Sequence, residues 1–182
     1  VPALHKEFKK ADYEKFNKAL EIVKNDYTDT GIGTYSEKLT HRVLKYYIND
    51  NPNTHEIRYR GYIADVMEAN TIAEIQTKQL YTMQDKLRAF MIDKTVTVVL
   101  PVIRSKQIVW INPENNSVIE IKKSSIHETI YKLAAVMYEL KEFIGYSALQ
   151  FRVILIDEVE YKYQDGVGYN SRNKATKINR IP

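Results

Sequence analysis

Residues Tyr62 to Leu80 read YIADVMEANTIAEIQTKQL, two short β-type runs joined around Ala69 and Asn70. Aliphatic and β-branched residues mark the runs as strands, and Glu-Ala-Asn marks their turn. Each run carries an acid where a strand would ordinarily take Val or Ile: Asp65 in the first, Glu74 in the second. A turn centred on Ala69 and Asn70 sets Met67 against Ile72 and Asp65 against Glu74. Residues opposed in an antiparallel pair share a face, with Cβ atoms about 4.5–5.5 Å apart. Two carboxylates that close repel unless a proton or a cation lies between them. On the pairing alone two explanations stand level. One is a metal site. The other is one carboxylate at a solvated edge and the other paired with Lys or Arg.

Working outward, HKEFKKADYEKFNKALEIVKN (5–25) is a charged helix with a thin apolar stripe of Phe8, Phe16, Leu20 and Val23, suited to packing on the outside or on a partner. A loop over 26–34 contains Gly31 and Gly33, and a helix follows over 35–48 with Leu39, Val43, Leu44, Tyr47 and Ile48 at core spacing. Asn51-Pro52-Asn53 stops it, and HEIRYRG (55–61) reads as a first strand. Beyond the hairpin, residues 80–92 put Leu80, Met83, Leu87, Phe90 and Met91 on one helical face. TVTVVLPVI (95–103) is nearly continuous in apolar character, as a strand buried on both faces should be. IVWINPENNSVIEIK predicts a hairpin turning at Pro113–Asn116. The spacing over 124–145 predicts a long amphipathic helix capped by Ser124 or Ser125, with Gly145 just past its end. LQFRVILIDEVEYKY (149–163) closes the pattern as a long strand. Helices between strands, with an antiparallel hairpin among them, give an α/β class with a mixed β-sheet flanked by helices. The chain divides into an N-terminal helical extension (1–28), an α/β domain (29–163) and a basic tail (164–182).

There are no cysteines, which excludes a disulfide framework and thiolate metal sites and fits a reducing cytoplasm. No run reaches the roughly 20 apolar residues of a membrane span, and the N-terminal residues lack a signal peptide's apolar centre. The expectation is a cytoplasmic protein without a membrane segment. The formal net charge is +4, and the basic excess gathers at the end, where Arg172, Lys174, Lys177 and Arg180 are candidates for tracking nucleic-acid phosphate. The plainer reading of that run is a solvated terminus. HEIRY and HETIY begin like a zinc-protease motif but lack the second His at i+4.

Glu37 lies one turn into the helix before the hairpin, with His41 at i+4 and Leu44 at i+7, on a stripe that runs to Ile48. A carboxylate on such a stripe points toward the sheet. With Asp65 and Glu74 it would make a hard oxygen site for Mg²⁺ or Mn²⁺. Taken singly, Glu37 is a first-turn acid favoured by the helix dipole.

A helix bearing Glu37, a strand bearing Asp65 and a strand bearing Glu74-Ile75-Gln76 resemble the PD-(D/E)XK nuclease superfamily. EIQT followed by KLRAFM and VTVVLP also resembles a group of uncharacterised bacterial proteins. The likeness runs from about residue 31 to 104, and more loosely to the final RIP, past which such chains often continue into a winged-helix domain. The resemblance implies a restriction-endonuclease-like core of order αβββαβ and metal-assisted phosphodiester hydrolysis. Asp65 and Glu74 would hold Mg²⁺ or Mn²⁺, the Ile75 carbonyl would be a further ligand, and Glu37 would contribute directly or through water. The implied partner is nucleic acid, DNA ahead of RNA. Where the pattern has Lys this chain has Gln76, which can orient a water but carries no charge. Lys78, two residues on, or Lys86 on the next helix could supply it. The alternative function is a catalytically inactive nuclease-like module that binds nucleic acid or regulates.

Overall fold

The computed structural model describes residues 10–26, 36–76, 80–163 and 176–181, with 10, 11, 26, 36–38 and 176–181 described by main chain alone. Its centre is β4, Thr95–Ile111, a strand of 17 residues. Sequence patterning suggests two separate strands here, 95–103 and a later hairpin arm. The structure joins them through Arg104-Ser105-Lys106, with a register shift between Ile103 and Ser105. The bulge lets one strand keep pairing while changing twist.

Along one edge β4 pairs in parallel with β6, Leu149–Tyr163, over its whole length, from Val96↔Leu149 to Ile111↔Tyr163. Its other edge is shared. The first half pairs in parallel with β3, Thr71–Ile75, and the second half antiparallel with β5, Val118–Lys123. Pro101 lies where neither reaches, so its missing N–H breaks no ladder bond. Below it, Ile103 donates its N–H to Glu128 Oε2 at 3.0 Å and accepts from the Glu128 N–H at 2.6 Å.

β1, His55–Tyr59, and β2, Tyr62–Met67, extend the sheet beyond β3, and β7, Thr176–Ile181, adds antiparallel to β6. Strand order is β1-β2-β3-β4-β6-β7, with β5 beside the second half of β4. The β1–β2 turn is Arg60-Gly61, both at positive φ, as a two-residue hairpin that follows the strand twist requires. Residues 176–181, read from sequence as part of a basic tail, form a sheet strand.

Helices cover both faces. On one, α3 (Gln84–Phe90) and α4 (Lys132–Glu139) bury Leu87, Phe90 and Val136 against Ile72, Val96, Val98 and Leu100. On the other, α2 (Ser36–Ile48) lays Leu44 on Ile75, Val99 and Ile156. The N-terminal helix α1 (Lys10–Asp26) reaches the core through α2: Ala19 and Val23 pack on Leu39 and Val43. The element order α2-β1-β2-β3-α3-β4 is αβββαβ, and the class is mixed α/β with helices on both faces. Among the described residues no helix is long and apolar enough to cross a membrane.

The long helix expected over 124–145 is shortened to α4 and a 3-10 turn at Lys141–Phe143. Ser124 accepts from the Ile126 N–H, a local turn in place of a helix cap, and Glu128 is tied to Ile103 through both its N–H and its carboxylate. Both bonds compete with helix formation over 124–131. Phe90 is fully buried beneath α3 whereas Tyr131 is 80% exposed. Phe90→Ala should therefore cost about 3–5 kcal/mol in urea denaturation and Tyr131→Ala no more than about 0.5 kcal/mol.

Candidate metal and phosphodiester site

The hairpin register is the one the sequence predicts: Val66 faces Ala73 and Met67 faces Ile72. Ladder pairing then stops, and Asp65 has no paired residue in β3 or in β1. In β1 the residue at that level, Glu56, takes φ +55°, a left-handed conformation between the His55↔Val66 and Ile57↔Ala64 pairs. Main-chain groups on parting strands need other partners. Here the two carboxylates provide them. Asp65 Oδ2 accepts the Ile75 N–H at 2.8 Å, and Glu74 Oε1 accepts the Asp65 N–H at 3.2 Å.

Two further elements converge on this junction. From α2, His41 Nε2 lies 3.2 Å from Asp65 Oδ2 and 3.1 Å from the Ile75 carbonyl oxygen. Both neighbours are acceptors, so Nε2 carries the hydrogen and donates to each. From α3, Lys86 Nζ donates to Glu74 Oε2 at 2.5 Å, and the same ammonium lies 5.7 Å from the centroid of Phe90. Lys45, almost wholly buried on α2, pairs nearby with Glu56 at 2.6 Å.

The two carboxylates are electrostatically unlike. Glu74 is buried beside Asp65, and burial followed by the Asp65 charge pushes its pKa up to about 7 against the pull of Lys86. Burial also works against ionisation of Asp65. There the hydrogen bond and charge of His41, the Ile75 N–H and the charge of Lys86 outweigh it and hold the group below its ordinary value. One acid stays ionised while its neighbour is poised to take a proton near neutrality, the division expected of carboxylates sharing a site.

The structure thus brings together Asp65, Glu74 and the Ile75 carbonyl. Gln76 follows directly, its N–H donating to Val99 at 2.9 Å. The Glu37 main chain belongs to α2, one turn before His41, but its side chain lies outside the described residues. Lys78, Arg172 and Lys174 also lie outside them. Lys177 and Arg180 fall in β7, in register with Lys162 and Glu160, and β7 passes beside α2. In the sequence His41 stands out only as a spacing mark. Its position at i+4 from Glu37 is the signal that it faces the sheet. Among the described residues no group of three or more His, Cys, Asp and Glu side chains is arranged as a ready cation cage.

Because its folded pKa is raised, Glu74 binds more protons folded than unfolded between its ordinary value of 4.5 and about 7. Its contribution to stability therefore falls as pH rises through that window. Denaturant titrations from about pH 4.5 to 7.5 should show wild type losing stability relative to Glu74→Gln. Parallel pH courses would mean that Glu74 titrates as an ordinary glutamate.

Residues 38–182 match a family described as "Domain of unknown function (DUF8091)". An uncharacterized protein of Treponema pallidum (strain Nichols) is 30% identical over 148 residues, which cover 81% of this chain and 58% of the relative. The chain thus corresponds to little more than half of that longer protein. No solved structure matches. The chain belongs to the family of that domain of unknown function.

Proposed function

We propose that the Asp65–Glu74 junction is a divalent-cation site and that the chain is a metal-dependent phosphodiesterase of the PD-(D/E)XK type. It would act on nucleic acid in the cytoplasm, DNA ahead of RNA. The observation that carries the reading is the convergence of Asp65 Oδ2 and the Ile75 carbonyl on one donor atom, His41 Nε2, at 3.2 and 3.1 Å. An ion there would take the place of the Nε2 hydrogen that both oxygens now accept, and two hard oxygens with a second carboxylate beside them suit Mg²⁺ or Mn²⁺ chemically. Asp65, Glu74 and the Ile75 carbonyl would hold the ion, with Glu37 joining from α2 directly or through water. When bound, the ion lowers the pKa of a water and offsets charge on the phosphate.

The chain's own groups divide the rest. Lys86 brings the positive charge that Gln76 lacks, and it already reaches the motif glutamate. Gln76 orients a water through its amide, and Lys78 is a second candidate cation. His41 fixes Asp65 and turns the Ile75 carbonyl inward. Arg172, Lys174, Lys177 and Arg180 would track phosphates along the strand.

The alternative of a catalytically inactive nucleic-acid-binding or regulatory module draws on Gln76 and on the ion pair that already engages Glu74. Calorimetric titration of Mn²⁺ separates the two. Saturable binding to wild type, lost in Asp65→Ala and in Glu74→Ala, with cleavage of DNA or RNA, is expected. Lys86→Ala should keep Mn²⁺ binding and lower the cleavage rate by about 10²–10³-fold, the usual loss for a group stabilising transition-state charge. No Mn²⁺ binding and no cleavage, with nucleic acid still bound, would move the assignment to the inactive module.

A further inference from the structure

β5 is exposed along its entire length, and Val118, Ile119 and Ile121 are its apolar residues, with Ile121 61% exposed. Among the described residues it pairs with β4 alone, along one edge. The direction of its main-chain groups follows from one bond. The Ser124 N–H donates to the Lys106 carbonyl at 2.9 Å, continuing the register Gln107↔Lys123 and Ile108↔Lys122. Hydrogen-bonded pairs alternate along an antiparallel ladder. Lys122 and Glu120 therefore turn their N–H and C=O toward β4, and Ile121 and Lys123 turn theirs outward.

We infer that β5 is the interface of a symmetric dimer, in which it pairs antiparallel with β5 of a second copy about a twofold axis at Ile121. That register is the one the outward groups demand. Ile121 and Ile121 of the partner subunit form a hydrogen-bonded pair, exchanging both main-chain bonds. Glu120 then stands opposite Lys122 of the partner subunit, and Lys122 opposite Glu120 of the partner subunit. These are non-hydrogen-bonded positions, where side chains approach most closely, at about 4.5 Å between Cα atoms. The strand is self-complementary in charge at the register its backbone selects, as a twofold interface requires. Within one copy the same two side chains satisfy each other, with Lys122 Nζ 2.9 Å from Glu120 Oε2.

A lysine-bearing edge is ordinarily a guard against pairing. Lysines alone would repel a second copy. Glu120, set two residues before Lys122 on the same face, converts that repulsion into two cross-strand ion pairs.

Sedimentation equilibrium over a concentration series tests the inference. Wild type should self-associate to a dimer. Glu120→Lys and Lys122→Glu each place like charges opposite one another twice, and each should weaken dimerisation by about tenfold or more. Glu120→Lys combined with Lys122→Glu restores opposite charges and should restore the dimer. Circular dichroism of each variant separates loss of pairing from loss of fold. A monomeric wild type overturns the inference, as does a dimer indifferent to either single reversal or not recovered by the exchange.

Discussion

Two carboxylates take the place of main-chain acceptors where β2 and β3 part, and the centre of the molecule is arranged around that exchange. Asp65 accepts the N–H of Ile75, and Glu74 accepts the N–H of Asp65. A ladder that ends inside a fold leaves donors that cost free energy unless they find partners. Carboxylates are strong partners, but burying their charge is expensive in turn. A hydrogen bond from His41 on α2 and the charge of Lys86 on α3 offset that cost, one on each acid. The strand junction thus fixes what α2 and α3 must present to it, and couples helices on opposite faces of the sheet.

β4 makes that coupling rigid. Val96, Val98 and Leu100 point to the α3–α4 side while Val99 points to α2, so one strand belongs to both layers. Its polar second half is stabilised differently. Lys106, nearly fully buried, pairs with Glu158 at 2.8 Å and Glu160 at 2.7 Å on β6. Such a cluster is costly to break once formed, because removing one partner leaves a buried charge uncompensated.

Periodicity located most elements, since a buried strand such as 95–103 and stripes such as Leu87-Phe90 are dictated by apolar spacing. The turn at Ala69 and Asn70 even gave the β2–β3 register. Spacing could not show that the register would be abandoned at Asp65. That depends on Glu56 entering the left-handed region and on side chains supplied by two distant helices. The helix expected over 124–145 failed for a related reason. Its apolar spacing is genuine, but Glu128 spends its N–H and its carboxylate on a non-local pairing with Ile103. Lys86 stands in the sequence only as one of two candidate cations, because nothing in the sequence ties position 86, and not 78, to Glu74.

The positive charge beside Glu74 comes from Lys86 on α3, and position 76, just past the end of β3, carries a neutral amide. A lysine at 76 would issue from the strand itself, two residues from Glu74. Lys86 instead issues from a helix whose neighbouring residues Leu87 and Phe90 are fully buried, so its backbone is held by the core. Its ammonium rests near the Phe90 ring and reaches Glu74 without needing the end of β3 to be rigid. The junction thus holds two acids and one lysine, with a neutral amide at position 76. A positive charge carried by α3 balances an acid carried by β3, and its position is set by the core beneath the helix.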